Sequence, residues 1–185
     1  MKTIIKCILI LVTCFCFGQK NDFKNWTEHE KSQYSILNEL AQYVSGKQKS
    51  EISKDTLFNK FIFFDYVLKD TDLERRENRL ATFDTLFYSF RKTIDSFGLE
   101  NLDAKPMRFY KDHEIYKPFD VRFAKESISG EKLYIKDENI FAYYRKENPE
   151  NPLGELAFEP KTNKLVAWIM LDQGGYKYFL TFNLF

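Results

Sequence analysis

Beyond Cys16 this chain has no cysteine: Cys7, Cys14 and Cys16 are its only three, and all sit at the N-terminal end. A body without thiols has no disulfide, no thiolate metal site and no sulfur nucleophile, so packing must stabilise it. Histidine is nearly as scarce, with two residues. Both begin the zinc-protease pattern His-Glu-x-x-His, as His29-Glu30-Lys31-Ser32-Gln33 and His113-Glu114-Ile115-Tyr116-Lys117. Both fail at the fifth position, where the second ligand must stand one helical turn away. A catalytic zinc needs three protein ligands, and two histidines without cysteine do not supply them. Neither a metal nor a cofactor is therefore implied.

Other catalytic signatures are missing too. Gly46-Lys47 has neither the upstream glycine nor the following Ser or Thr of a phosphate-binding loop. No Gly-x-Ser-x-Gly elbow occurs. Charge of one sign is also lacking, with 28 basic against 27 acidic residues. So even a balance offers no overall attraction to nucleic acid or to an anionic membrane.

Residues 1–18 carry the three parts of a secretory leader: Lys2 and Lys6, an apolar run from Cys7 to Phe17, and Gly18. The run is shorter than the about 20 apolar residues a membrane span needs. Cleavage after Gly18 would remove every cysteine, start the chain at Gln19 and change the formal net charge from +1 to −1. An alternative is a lipoprotein signal, Leu11-Val12-Thr13-Cys14, anchored through Cys14; it departs from that pattern at Thr13, where a smaller residue is usual. Either reading places the protein outside the cytoplasm, secreted or periplasmic, with no transmembrane span after cleavage.

What is present is aromatic: 19 Phe, 11 Tyr and 2 Trp. Three helical patterns come first. Thr27 and Glu30 make a capping box, Leu37, Leu40, Ala41 and Val44 share a face, and Gly46 stops the helix. A second helix, from about Thr56 to Lys69, is apolar all round its axis. A third, long one opens on a Thr71–Glu74 capping box, carries Leu73, Leu80, Phe83, Phe87, Phe90, Ile94 and Phe97, and ends at Gly98. Its charge run Glu74-Arg75-Arg76-Glu77 reads as a solvated face.

Then the period shifts to two. Met107–Tyr110 and Val121–Phe123 are weak strand patterns. Lys132–Lys136, Ile140–Lys146, Leu153–Phe158, Leu165–Leu171 and Tyr176–Leu184 are clearer, separated by short Asn, Asp, Pro and Gly turns. Such short connections demand antiparallel neighbours. The expected architecture is α+β: three N-terminal helices, the third long, packed on a C-terminal antiparallel meander of about five strands, as a single domain over residues 19–185. The chain ends in Phe185 like many outer-membrane barrel strands, but its alternate apolar positions are out of register and its strands too few.

Leu165–Leu171 is apolar on both faces, with Val166, Trp168 and Met170 opposite Leu165, Ala167, Ile169 and Leu171. Such a strand is either covered on both sides or lines a ligand cup. Tyr134, Tyr143, Tyr144, Trp168, Tyr176 and Tyr178 combine apolar rings with polar tips and suit a partly exposed binding surface. The expected site is Tyr143, Val166, Trp168 and Met170, on an aromatic-rich face or cup of the sheet. The function expected is that of a non-enzymatic binding domain for a small apolar ligand or an envelope protein partner, not for nucleic acid. Two alternatives stand beside it: a small envelope hydrolase using His113 as acid and base, with Asp112 or Glu114 beside it, and an inhibitor or immunity-type protein.

Overall fold

The computed structural model describes residues 23–112, 137–173 and 176–182. Helix α1 (Glu28–Val44) opens on the expected capping box. Thr27 Oγ1 accepts from the Glu30 amide at 3.1 Å, and Glu30 Oε2 accepts from the Thr27 amide at 2.7 Å. Just past its end Gly46 takes a φ of 69°, a left-handed value glycine adopts without a Cβ clash.

The continuous second helix does not form. Helix α2 (Lys54–Thr56) runs into a π-helical turn, Leu57–Phe61, closed by Ile62 N donating to Leu57 O at 2.9 Å. Ile62 is then extended, bridges in parallel to Leu165, and is followed by Phe63 N donating to Leu165 O at 2.8 Å. Ile62 and Phe64 enter one core cluster and Phe63 the other, which is the alternation of a strand. A run apolar at every position satisfies both periods, and the β-branched and aromatic residues here favour the extended form. Helix α3 (Asp65–Leu68) resumes for a single turn.

Helix α4 (Leu73–Phe97) is the long one, about 37 Å at 1.5 Å per residue. Its N-cap is Asp72, which accepts from the Arg75 amide at 3.0 Å, in place of the expected Thr71–Glu74 box. The charge run does more than face solvent. Asp70, buried between α3 and α4, accepts from Arg75 Nε at 2.6 Å and from Arg75 Nη2 at 2.5 Å. Arg75 holds the Asp70 carboxyl down to about 2. Unfolded, the same group titrates at about 3.9, so its stabilising contribution is complete above about pH 4 and drains away as pH falls toward about 2. Asp70→Asn is accordingly expected to flatten the acid limb of stability in that window. Urea midpoints at about pH 3 and about pH 6 test it, and an unchanged difference between them would refute the assignment.

Strands β1 (Leu102–Pro106), β2 (Ile140–Arg145), β3 (Pro152–Phe158) and β4 (Leu165–Ala167) form an antiparallel sheet in the order β1-β2-β3-β4. Strands β5 (Ile169–Gln173) and β6 (Tyr176–Leu180) pair as a separate antiparallel hairpin. The molecule is therefore α+β as expected, with four helices, a four-stranded meander and a hairpin among the described residues. Two local expectations change. Met107–Tyr110 is a 3-10 turn, and the strand lies just before it; among the described strands β1 is at the edge, where Pro106, lacking an N–H, is tolerated. Leu165–Leu171 is interrupted at Trp168. Val121–Phe123 and Lys132–Lys136 lie outside the described residues.

Two apolar clusters flank the sheet. Phe141, Leu156, Phe158 and Leu165 pack with Phe58, Phe64, Phe83 and Phe87 on the helical side. Ile140, Ala142, Tyr144, Ala157 and Val166 join Phe63, Met107, Tyr110 and Phe179 on the other. Alternation along β2 and β3 thus feeds both clusters. Among the described residues no helix is long and apolar enough to cross a membrane.

Candidate functional site

The apolar stripe of α1 is wider than the core it meets. Of its predicted face only Leu40 is buried, while Leu37, Ala41 and Val44 are half-covered. Helix α4 behaves likewise: Phe83 and Phe87 are buried, but Phe90 and Ile94 are not. Between these leftover surfaces lies a cavity of about 370 Å³, walled by α1, the C-terminal half of α4, β1 and Tyr143 of β2. That volume falls in the about 300–1,000 Å³ range of small-molecule sites.

Gly98 turns the chain from α4 toward β1 and so shapes one end of the cavity. Its φ of 77° is reached without penalty by glycine, and a Cβ there would lie 2.7 Å from Glu100 Oε1. The wall is mainly aliphatic and aromatic, with a few polar groups. Tyr34 donates to Asp103 Oδ1 at 2.8 Å, tying α1 to β1. Lys146 Nζ donates to the Glu100 carbonyl at 2.8 Å. Arg91 Nη2 donates to the Lys47 carbonyl beyond the end of α1.

Of the four residues expected at the site, Tyr143 is in the wall. Its ring meets Phe90 edge-on at 6.1 Å, and burial, with the nearby Glu155 carboxylate, raises its pKa, so its hydroxyl stays protonated. Trp168 stands one layer behind, stacked on Phe90 at 4.9 Å and close to Phe87. Val166 is fully buried in the opposite cluster, and Met170 packs against that same cluster. The structure therefore groups Tyr143 with Trp168 and separates both from Val166 and Met170. Tyr144, expected to be partly exposed, is buried. His113 and Glu114 lie outside the described residues; Asp112 is exposed.

Gly154 fixes the Tyr143 ring. It lies directly opposite Tyr143 in the β2–β3 register, and a Cβ there would approach the ring at 2.8 Å. Gly154→Ala is expected to cost about 1–3 kcal/mol through overpacking. Equilibrium urea unfolding measures it; parent-like stability would show that the ring moves aside freely.

Sequence reasoning missed the contributions of α1 and α4, and Arg91 most of all. The signal available was an apolar stripe broader than one core contact requires. A second polar cluster lies at the start of α1: His29 Nε2 sits 2.8 Å from Asn139 Oδ1, and Gln33 Nε2 donates to that oxygen at 3.0 Å. Beside it Glu30 pairs with Arg108. These groups join α1 to the segment before β2 and are not part of the cavity wall. Among the described residues no group of three or more His, Asp or Glu could hold a metal ion.

The fold and cavity define an α+β domain with an apolar chamber between two helices and a sheet edge. Comparison with protein-family models, with curated proteins and with solved structures finds no match for this chain.

Proposed function

We propose that this protein is a non-catalytic binding domain that takes a small apolar ligand in the chamber between α1, α4 and β1. The observation that carries the reading is the cavity itself, about 370 Å³ and walled mainly by apolar side chains. A concavity lined mainly by apolar side chains, with a few polar groups at its wall, is the usual form of a small-molecule site. The leader-like segment at residues 1–18 adds that the domain is exported, so its ligand is met outside the cytoplasm. Intact mass of the protein from its native source tests that point: a chain starting at Gln19 supports export by simple cleavage, an acylated Cys14 supports a tethered form, and a retained Met1 rejects both.

The chamber is tested with N-phenyl-1-naphthylamine, whose fluorescence rises in apolar surroundings. The parent should bind the dye saturably. Leu37→Trp, which places a large ring into the chamber, should reduce that signal at least several-fold while the fold persists by far-UV circular dichroism. Dye binding equal in parent and variant, or none in the parent, removes the proposal.

A further inference from the structure

Arg91 is the wall residue whose bonding is incomplete. Its side chain is 14% exposed, and its Nη2 is committed to the Lys47 carbonyl. Its Nε is buried and has no hydrogen-bond partner among the described residues. Asp95, one turn on along α4, brings Oδ2 only to 3.5 Å of that nitrogen, outside hydrogen-bond geometry, from a side chain that is 57% exposed. A buried guanidinium N–H held by a long ion pair but by no hydrogen bond is unfavourable, so its place at a cavity wall points to an acceptor supplied by the ligand.

The other charged groups of the chamber narrow the acceptor. Asp103 already takes the Tyr34 hydroxyl. Lys146 spends one donor on Glu100 O, and an ammonium carries three. What the wall leaves unmet is the buried Nε donor of Arg91, beside a mainly apolar volume. An acceptor carrying negative charge satisfies it best, because hydrogen bonds between ionised partners are the stronger kind. We infer that the chamber is built for a monocarboxylate amphiphile, its hydrocarbon body among Leu37, Val44, Phe90 and Ile94 and its carboxylate accepting from Arg91 Nε. This rests on the ligand-binding reading above and adds the chemical class.

The experiment compares dodecanoate with dodecanol as displacers of the naphthylamine dye, below their micelle concentrations, on the parent and on Arg91→Gln. Dodecanoate should bind the parent about tenfold or more tightly than dodecanol. Arg91→Gln should lose that preference and keep its affinity for dodecanol. Because Arg91 also anchors the loop after α1, the parent alone supplies a second readout: its Arg91 Nε–H resonance should move on adding dodecanoate and stay in place with dodecanol. Equal affinities in the parent, an Arg91→Gln preference like the parent's, or an unmoved Nε–H resonance overturns the carboxylate assignment while leaving the chamber. Failure of both displacers to compete overturns the chamber reading instead.

Discussion

Phe83→Ala should be the most damaging single truncation in this fold, at about 3–5 kcal/mol. Phe83 is fully buried on the inner face of α4 and meets five other rings. Phe64, Phe58, Phe87 and Phe182 lie at 5.1, 5.2, 5.6 and 5.6 Å between centroids, and Trp168 at 6.1 Å. Those partners come from the π-turn region, from α4 itself and from the C-terminal segment, so one ring holds three parts of the chain to the sheet. Removing it forfeits the transfer energy of the ring and opens a void that rigid aromatic neighbours fill poorly. Leu73→Ala on the same helix is the control: Leu73 is 59% exposed and should change stability by no more than about 0.5 kcal/mol. Denaturant unfolding of both variants decides the matter, and a loss at Phe83 below about 1 kcal/mol would mean that the cluster repacks.

Arg108→Met should be the second most costly change, at about 3 kcal/mol near neutral pH. Glu30 is 1% exposed, and Arg108 donates to it from Nε at 2.6 Å and from Nη2 at 2.9 Å. Burial pushes the Glu30 carboxyl up, but Arg108 and the Thr27 amide together hold it below its ordinary value. In the parent this pair therefore stabilises above the unfolded pKa of about 4.3 and weakens as pH falls. Without Arg108 only the Thr27 amide opposes the burial cost, the Glu30 pKa rises, and the variant regains stability when the carboxyl takes a proton. The gap between parent and variant should accordingly be widest near neutral pH and shrink below about pH 4. Urea midpoints at about pH 7 and about pH 3 measure it; a gap independent of pH would show that lost packing, not the stranded charge, is the cause.

Much of the local structure was legible because its causes are local. Thr27 and Glu30 announce the start of α1, Gly98 announces the end of α4, and the Asn148–Pro152 turn separates two strands that do pair as neighbours. Each depends on residues within a few positions of one another. Phe61-Ile62-Phe63-Phe64 marks where that logic stops. An unbroken apolar run has no period of its own, and the choice of a strand-like bridge to Leu165 came from a partner far along the chain.

The same boundary separates what the chain determined alone from what folding decided about the site. Composition and order along the chain determined the α+β class, the freedom from thiol chemistry beyond Cys16, the leader-like start and an apolar surplus on two helices. A stripe of Leu, Val, Phe and Ile is identical on paper whether it meets another side chain or lines a cavity. Only the placement of α1 and α4 against β1 made Leu37, Val44 and Ile94 a wall, put Tyr143 in it and sent Val166 to the opposite side of the sheet. Glu30 and Arg108, 78 positions apart, became partners for the same reason. Hydrophobicity is non-directional, so sequence sets how much apolar surface must be covered, while tertiary packing decides which part of it is left uncovered.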